Sequence, residues 1–128
     1  MQEQIKKQTK QIGLEVIKLI DDLPNKTSAW AIAKQIIRSS TSIGANYRAA
    51  CRAKSTADFI YKLKIVEEEA DETCYWLEVL EESGLIASSR TTVIKKEVNE
   101  IIAIVVASIK TTRGKTNPQI VNPLNRKS

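Results

Sequence analysis

Histidine is missing from all 128 residues. That removes the commonest general base near neutral pH and the commonest nitrogen ligand for a metal. Cysteine is limited to Cys51 and Cys74, which stand far apart and lack the paired spacing of a structural zinc site. Both read as small, partly buried core residues in a reducing compartment. Three prolines, four glycines and 5% aromatic residues supply too little turn chemistry for a fold of many short strands; the composition is helical. No apolar run has the roughly 20 residues that cross a bilayer. The polar start, Met1 to Lys7, precedes no secretory apolar core. The expectation is a soluble, cytoplasmic protein without membrane contact.

Charge is plentiful. Twenty Lys and Arg face fifteen Asp and Glu, a net charge of +5 with a pI near 9.3. That excess makes anionic partners plausible, although charge alone selects none. The length suits one domain with a real core.

Apolar spacing divides the chain into four helices. In the first, about Glu3 to Asp22, Ile5, Ile12, Val16, Leu19 and Leu23 share one face, widened by Ile17 and Ile20. Pro24 follows, and Thr27 or Ser28 is placed to cap the next helix. The second helix, to about Cys51, has two faces. Trp30, Ala33, Ile37, Ser40, Gly44 and Tyr47 form an apolar, mostly small one; Lys34, Arg38, Arg48 and Arg52 form a basic one. Gly44 costs about 1 kcal/mol of helix propensity relative to Ala, so close helix packing is expected there.

Ser55-Thr56-Ala57-Asp58 reads as a capping box opening the third helix. Phe59, Leu63, Val66, Ala70, Cys74, Leu77 and Leu80 follow at near-heptad spacing, and Ile65, Trp76 and Val79 add a second apolar edge. Gly84 is placed as the left-handed residue that ends it, with Leu85 folding back. The fourth helix starts at Ser88 or Ser89 and carries Ile94, Val98, Ile101, Val105 and Ser108, with Ile102 and Ile109 beside them. Short connections make an all-α, antiparallel up-down-up-down four-helix bundle over residues 1–112 the expected fold. Residues 113–128, basic and without an acid, read as a flexible tail.

No constellation here suggests catalysis. The run Ser39-Ser40-Thr41-Ser42 has no histidine base and reads as small packing residues that bond the helix backbone. Glu67, Glu68, Glu69, Asp71 and Glu72 lack the histidine that di-iron bundles pair with glutamate. A solvated acidic face, or a salt-bridge partner for the second helix, is the simpler reading. No glycine-rich phosphate loop occurs. A noncatalytic protein without metal or cofactor is expected. Trp30 and Trp76 adjoin apolar stripes and are expected in the core or at a subunit contact rather than stacked on bases.

The basic stripe leaves two readings open. In one, Arg48, Arg52, Lys54 and Lys62, joined by Arg38 and Lys34, contact nucleic-acid phosphates. In the other, they pair with the acids of the third helix: Glu68, Asp71, Glu72, Glu78 and Glu82. Arg38 is the residue expected to be structural; Arg48, Arg52 and Lys54 are expected to face solvent.

The stretch from Gln35 to Ile86 also carries a resemblance. Arg38-Ser39-Ser40-Thr41-Ser42-Ile43-Gly44-Ala45-Asn46, then Lys54-Ser55, Phe59, Trp76-Leu77 and Gly84-Leu85-Ile86, resemble the four-helix-bundle proteins encoded in intervening sequences of bacterial 23S ribosomal RNA genes. That family is similar to the accessory proteins of diversity-generating retroelements. The resemblance implies a bundle assembled as a ring, commonly of five subunits, with a suspected nucleic-acid role and no established enzymatic activity. A protein-binding adaptor for a nucleic-acid enzyme such as a reverse transcriptase is the alternative. Arg38, Ser42 and Asn46 are the positions carried over from the family motif. The chain reads Asn46-Tyr47-Arg48-Ala49-Ala50 where the family often has Asn-x-Ala-Glu-Gly, and Arg52 where it often has glycine. Both departures favour a longer second helix with added positive charge.

Overall fold

The computed structural model describes residues 1–116. Four helices fill almost all of them: α1 (Gln2–Ile20), α2 (Thr27–Ala50), α3 (Thr56–Glu82) and α4 (Ser88–Thr116). Each helix packs on the next, and α4 returns to α1, while the diagonal pairs stay apart. This is the all-α, up-down-up-down bundle. The α1–α4 seam is its thinnest contact.

The core runs along the bundle axis. Ile12, Val16 and Leu19 meet Ile36 and Ile43, Leu63, Val66, Leu77 and Leu80, and Val98, Ile101 and Val105, all essentially without solvent exposure. Burying one such side chain contributes about 1.5–3 kcal/mol. Thr9, Ser39, Ser40, Thr73 and Thr91 are the buried polar residues. Thr73 bonds Ser39 across the α2–α3 contact at 2.9 Å and the Glu69 carbonyl at 2.8 Å. The Ser39 and Ser40 hydroxyls lie 3.4 Å from the carbonyls of Ile36 and Ile37, and Thr41 bonds the Ile37 carbonyl at 2.7 Å. The Ser/Thr run is therefore packing material.

Several local signals act as the sequence suggests. Ser55 Oγ accepts from the Asp58 N–H at 3.0 Å, capping α3. Gly84 adopts φ +79°, and the N–H groups of Leu85 and Ile86 both return to the Leu80 carbonyl. A Cβ on Gly44 would lie 3.3 Å from the Lys10 amide nitrogen and 3.4 Å from the Thr9 carbonyl carbon, so α1 and α2 do approach backbone to backbone.

Other expectations need correction. The α2 face that packs inward is Ala29, Ile36, Ser39, Ser40, Ile43, Tyr47 and Ala50. Trp30 is 63% exposed and Ile37 37% exposed, with the Trp30 indole N–H held by Asn25 Oδ1 at 3.0 Å. The helix is thus turned so that Ile36 and Ile43 face the core and Trp30 and Ile37 are left outside. Lys26, in extended conformation, is the N-cap of α2, and neither Thr27 nor Ser28 makes a side-chain cap. Asp21 and Asp22 lie just past α1, their N–H groups still bonding the Ile17 and Leu19 carbonyls. At the other end α4 continues through Arg113 and Gly114 to Thr116. The remainder of the expected tail, 117–128, lies outside the described residues.

Candidate functional site

The cations of α2 divide by partner. Arg38 reaches α3, with Nη1 3.1 Å from Glu69 and Nη2 2.6 Å from Glu72. Glu72 also accepts the Trp76 indole N–H at 3.1 Å, and its pKa is held below the ordinary carboxylate value, chiefly by the Arg38 bond. The same two carboxylates push the Arg38 pKa upward. This arginine is tied to its own chain. Asn46 donates to the Ser42 carbonyl at 2.9 Å. Of the family-motif trio, Arg38 thus joins two helices while Asn46 bonds within its own.

Lys62 is also tied. Its ammonium lies 2.9 and 3.0 Å from the two Asp58 oxygens, one turn earlier on α3. Asp58 further accepts the Lys54 amide N–H at 3.4 Å, and its pKa is lowered, first by Lys62. The acid of the capping box therefore reaches Lys54 and Lys62 rather than the Ser55 amide.

Arg48, Arg52, Lys54 and Lys34 are exposed. Their side chains form no ion pair among the described residues. Lys34 stands apart, about 21 Å along the helix from Arg48 at 1.5 Å per residue. Arg48 and Arg52 stand on a ridge between two concavities. On one side, Lys54, Lys62 and Asp58 line a hollow of about 350 Å³. On the other, a groove of about 510 Å³ lies between α1 and α2, lined by Lys6, Lys7 and Lys10 and by Arg48 and Arg52. Gly13, Gly44 and Thr41 lie in it, and Leu14 and Ile17 extend it as an apolar strip. Lys6 pairs with Glu3 at 3.0 Å; Lys7 and Lys10 have no carboxylate partner.

Lys7 and Lys10 are the residues that sequence reasoning missed. Their signal was present: they sit three apart, off the Ile5–Ile12–Val16 stripe. What it lacked was the register that sets α1 beside the end of α2. The Gly44 contact with Lys10 and the Gly13 contact with Thr41 supply that register.

The arrangement can hold an anion. Burial pushes the Cys74 thiol up to about 11, and Asp71 and Glu78 add to the shift, so it stays protonated and inert. Among the described residues no cluster of three or more potential metal ligands occurs. No described helix is long and apolar enough to cross a membrane.

The model of the 23S rRNA-intervening sequence protein family matches residues 1–107. The chain belongs to that family. A crystal structure of a protein of unknown function from the S23 ribosomal protein family of Bacteroides thetaiotaomicron is similar, at 39% identity and a TM-score of 0.78. That likeness covers 83% of this chain and 98% of the other. No curated protein matches the chain. For a 23S rRNA-intervening sequence protein, then, the bundle rests on shared ancestry as well as on its own apolar pattern.

Proposed function

We propose that this family member is a noncatalytic, ring-forming bundle that binds RNA or DNA through backbone phosphates. The observation that carries the reading is the groove between α1 and α2. Lys7, Lys10, Arg48 and Arg52 line it without a carboxylate partner, and Lys54 extends the charge past the end of α2. Arginine forks and lysine ammonium groups suit phosphate oxygens, and neutralising phosphates releases counterions. The contacts proposed are to the backbone, so shape and charge dominate recognition. Arg38 and Lys62 act here as supports that hold α2 to α3 and fix the end of α3. Repetition of the groove around a ring adds avidity where several copies reach one strand.

The test is binding to a labelled structured RNA at two salt concentrations. Affinity is expected to fall steeply with salt. Combining Arg48→Glu with Arg52→Glu is expected to flatten the log–log slope by about two units or more. Equal binding and an equal slope in that variant would remove the groove from consideration.

The adaptor reading draws on the opposite face. Tyr61 and Tyr75 of α3 are more than half exposed beside Glu68, Asp71 and Glu78. An aromatic, acidic surface suits a basic protein such as a nucleic-acid enzyme. Absence of RNA binding at low salt, with retained capture of such an enzyme, favours that alternative.

A further inference from the structure

We propose that an unpaired nucleic-acid strand bends round one end of the bundle, from the α1–α2 groove to a second cationic concavity between α3 and α4, and stacks a base on Tyr61. The path rests on the phosphate reading of the α1–α2 groove and adds the form of nucleic acid that the groove takes. Charge is divided along the bundle axis. The antiparallel order brings the start of α1, the end of α2, the start of α3 and the end of α4 to one end. Residues 1–10, 44–64 and 107–116, which lie there, hold eleven Lys and Arg against two carboxylates, Glu3 and Asp58. The other described residues hold seven cations against thirteen acids. Two helix N-termini and two C-termini meet at the cationic end, so their dipoles largely cancel and side chains set the sign. An excess of this kind repels itself until a polyanion covers it.

Three concavities follow one another round that end. The α1–α2 groove leads, at Arg48 and Arg52, into the hollow that also holds Lys54 and Lys62. Beyond α3 a concavity of about 560 Å³ lies between α3 and α4, lined by Lys64, Lys110 and Arg113 with Val106 and Ile109. Glu67 is the one carboxylate in its lining. Lys64 and Lys110 are exposed and form no ion pair among the described residues. Tyr61, 62% exposed, stands between the hollow and this concavity. At about 3.6 residues per turn it projects from the side of α3 away from buried Leu63, Val66 and Ala70, with Lys62 to one side and Lys64 to the other. Tyr75, the other exposed tyrosine of α3, is flanked by Asp71 and Glu78 instead and lies off the path.

The path selects a flexible strand. The α1–α2 and α3–α4 faces are opposite in the bundle, about 20 Å apart across two helix diameters. A half-turn round that width is far tighter than duplex DNA bends smoothly, given its persistence length of about 50 nm. An unpaired strand makes the turn and leaves its base faces open. Stacking on an aromatic ring accepts any base, so the contact adds affinity without sequence preference.

The experiment titrates the full chain with a labelled oligouridylate and, separately, with an RNA duplex of the same length, each at two salt concentrations. Circular dichroism checks that every variant is folded. The unpaired strand is expected to bind more tightly than the duplex. Tyr61→Ala should weaken its binding roughly 5- to 150-fold, while Tyr61→Phe, which keeps the ring, should bind as the unaltered protein does. Lys64→Gln combined with Lys110→Gln removes two phosphate contacts and should flatten the log–log salt slope for the strand by about 1.4. Equal or tighter binding of the duplex, full affinity in Tyr61→Ala, or an unchanged slope in the lysine pair would each overturn the wrapped path. If Arg48→Glu with Arg52→Glu still flattens the slope in those cases, the α1–α2 groove stands as a site by itself. An unchanged slope in that arginine pair strikes the groove reading and the path together.

Discussion

The Arg38 side chain is 49% solvent-exposed, yet it is held at two points by α3. Exposed ion pairs contribute about 0–1 kcal/mol each. Arg38→Ala is therefore expected to lower stability by about 1 kcal/mol at neutral pH, measured as a reduced denaturant midpoint. The direction with pH is fixed by the lowered Glu72 pKa. Stability from this pairing is present above the ordinary carboxylate range and disappears as pH falls through the Glu72 value. The cost of Arg38→Ala should therefore shrink in acid. The same variant should leave the salt slope of RNA binding unchanged, because Arg38 lies outside the groove. The arginines on and just past α2 thus have separate duties: Arg38 stitches two helices, while Arg48 and Arg52 are left for solvent.

At the scale of the element, the α1–α2 contact is set by glycine. Around Gly44 the nearest atoms to an added Cβ are all α1 backbone, which cannot rotate aside. Gly44→Val is expected to destabilise by about 1–3 kcal/mol through overpacking and to spread the groove walls. Gly13→Ala is the control. Its Cβ would meet the Thr41 methyl at an ordinary 3.4 Å, so a gain of up to about 1 kcal/mol in helix propensity is expected. Paired denaturant melts of the two variants distinguish a close crossing from a general intolerance of glycine replacement. The same element marks where the sequence stopped being readable. The α1, α3 and α4 stripes were legible because Leu, Ile and Val fill one face of each. The α2 face was misplaced because its inner surface mixes Ile36 and Ile43 with Ser39 and Ser40. These small residues are chosen for close approach and carry little hydrophobic signal, while Trp30 and Ile37 carry a strong one and lie outside. The Arg48–Arg52 half of the groove was visible as charge on one helix. The Lys7–Lys10 half depends on interhelical register, which no single-helix periodicity encodes.

At the scale of the molecule, the misplaced α2 face gives the ring reading its physical basis. Trp76, on the second apolar edge of α3, is partly buried against the chain's own core. Four exposed apolar residues, Leu14, Ile17, Trp30 and Ile37, lie on α1 and α2, with others on α3 (Tyr61, Tyr75) and α4 (Val93, Val106). Leu14 and Ile17 continue the groove, and along α2 Trp30, Ile37 and Arg48 fall on one helical face. One surface is thus apolar at one end and cationic at the other. The exposed α3 surface is acidic, with Glu68, Asp71, Glu78 and Glu82. Contact between two unlike patches is heterologous, and a heterologous contact that closes makes a ring. The family resemblance favours five subunits. Light scattering at micromolar concentration should therefore give a mass several times the 14.3 kDa chain. Trp30→Glu combined with Ile37→Glu places two charges on the apolar end without touching the core or the cationic end, and should return the mass to that of one chain. A monomer mass for the unaltered protein would contradict the ring. A ring that survives the double substitution would move the subunit contact to another face. In the first of these cases the phosphate groove still stands as a single site, and its apparent affinity for long RNA should match that for short RNA, because no second copy is present to hold the strand.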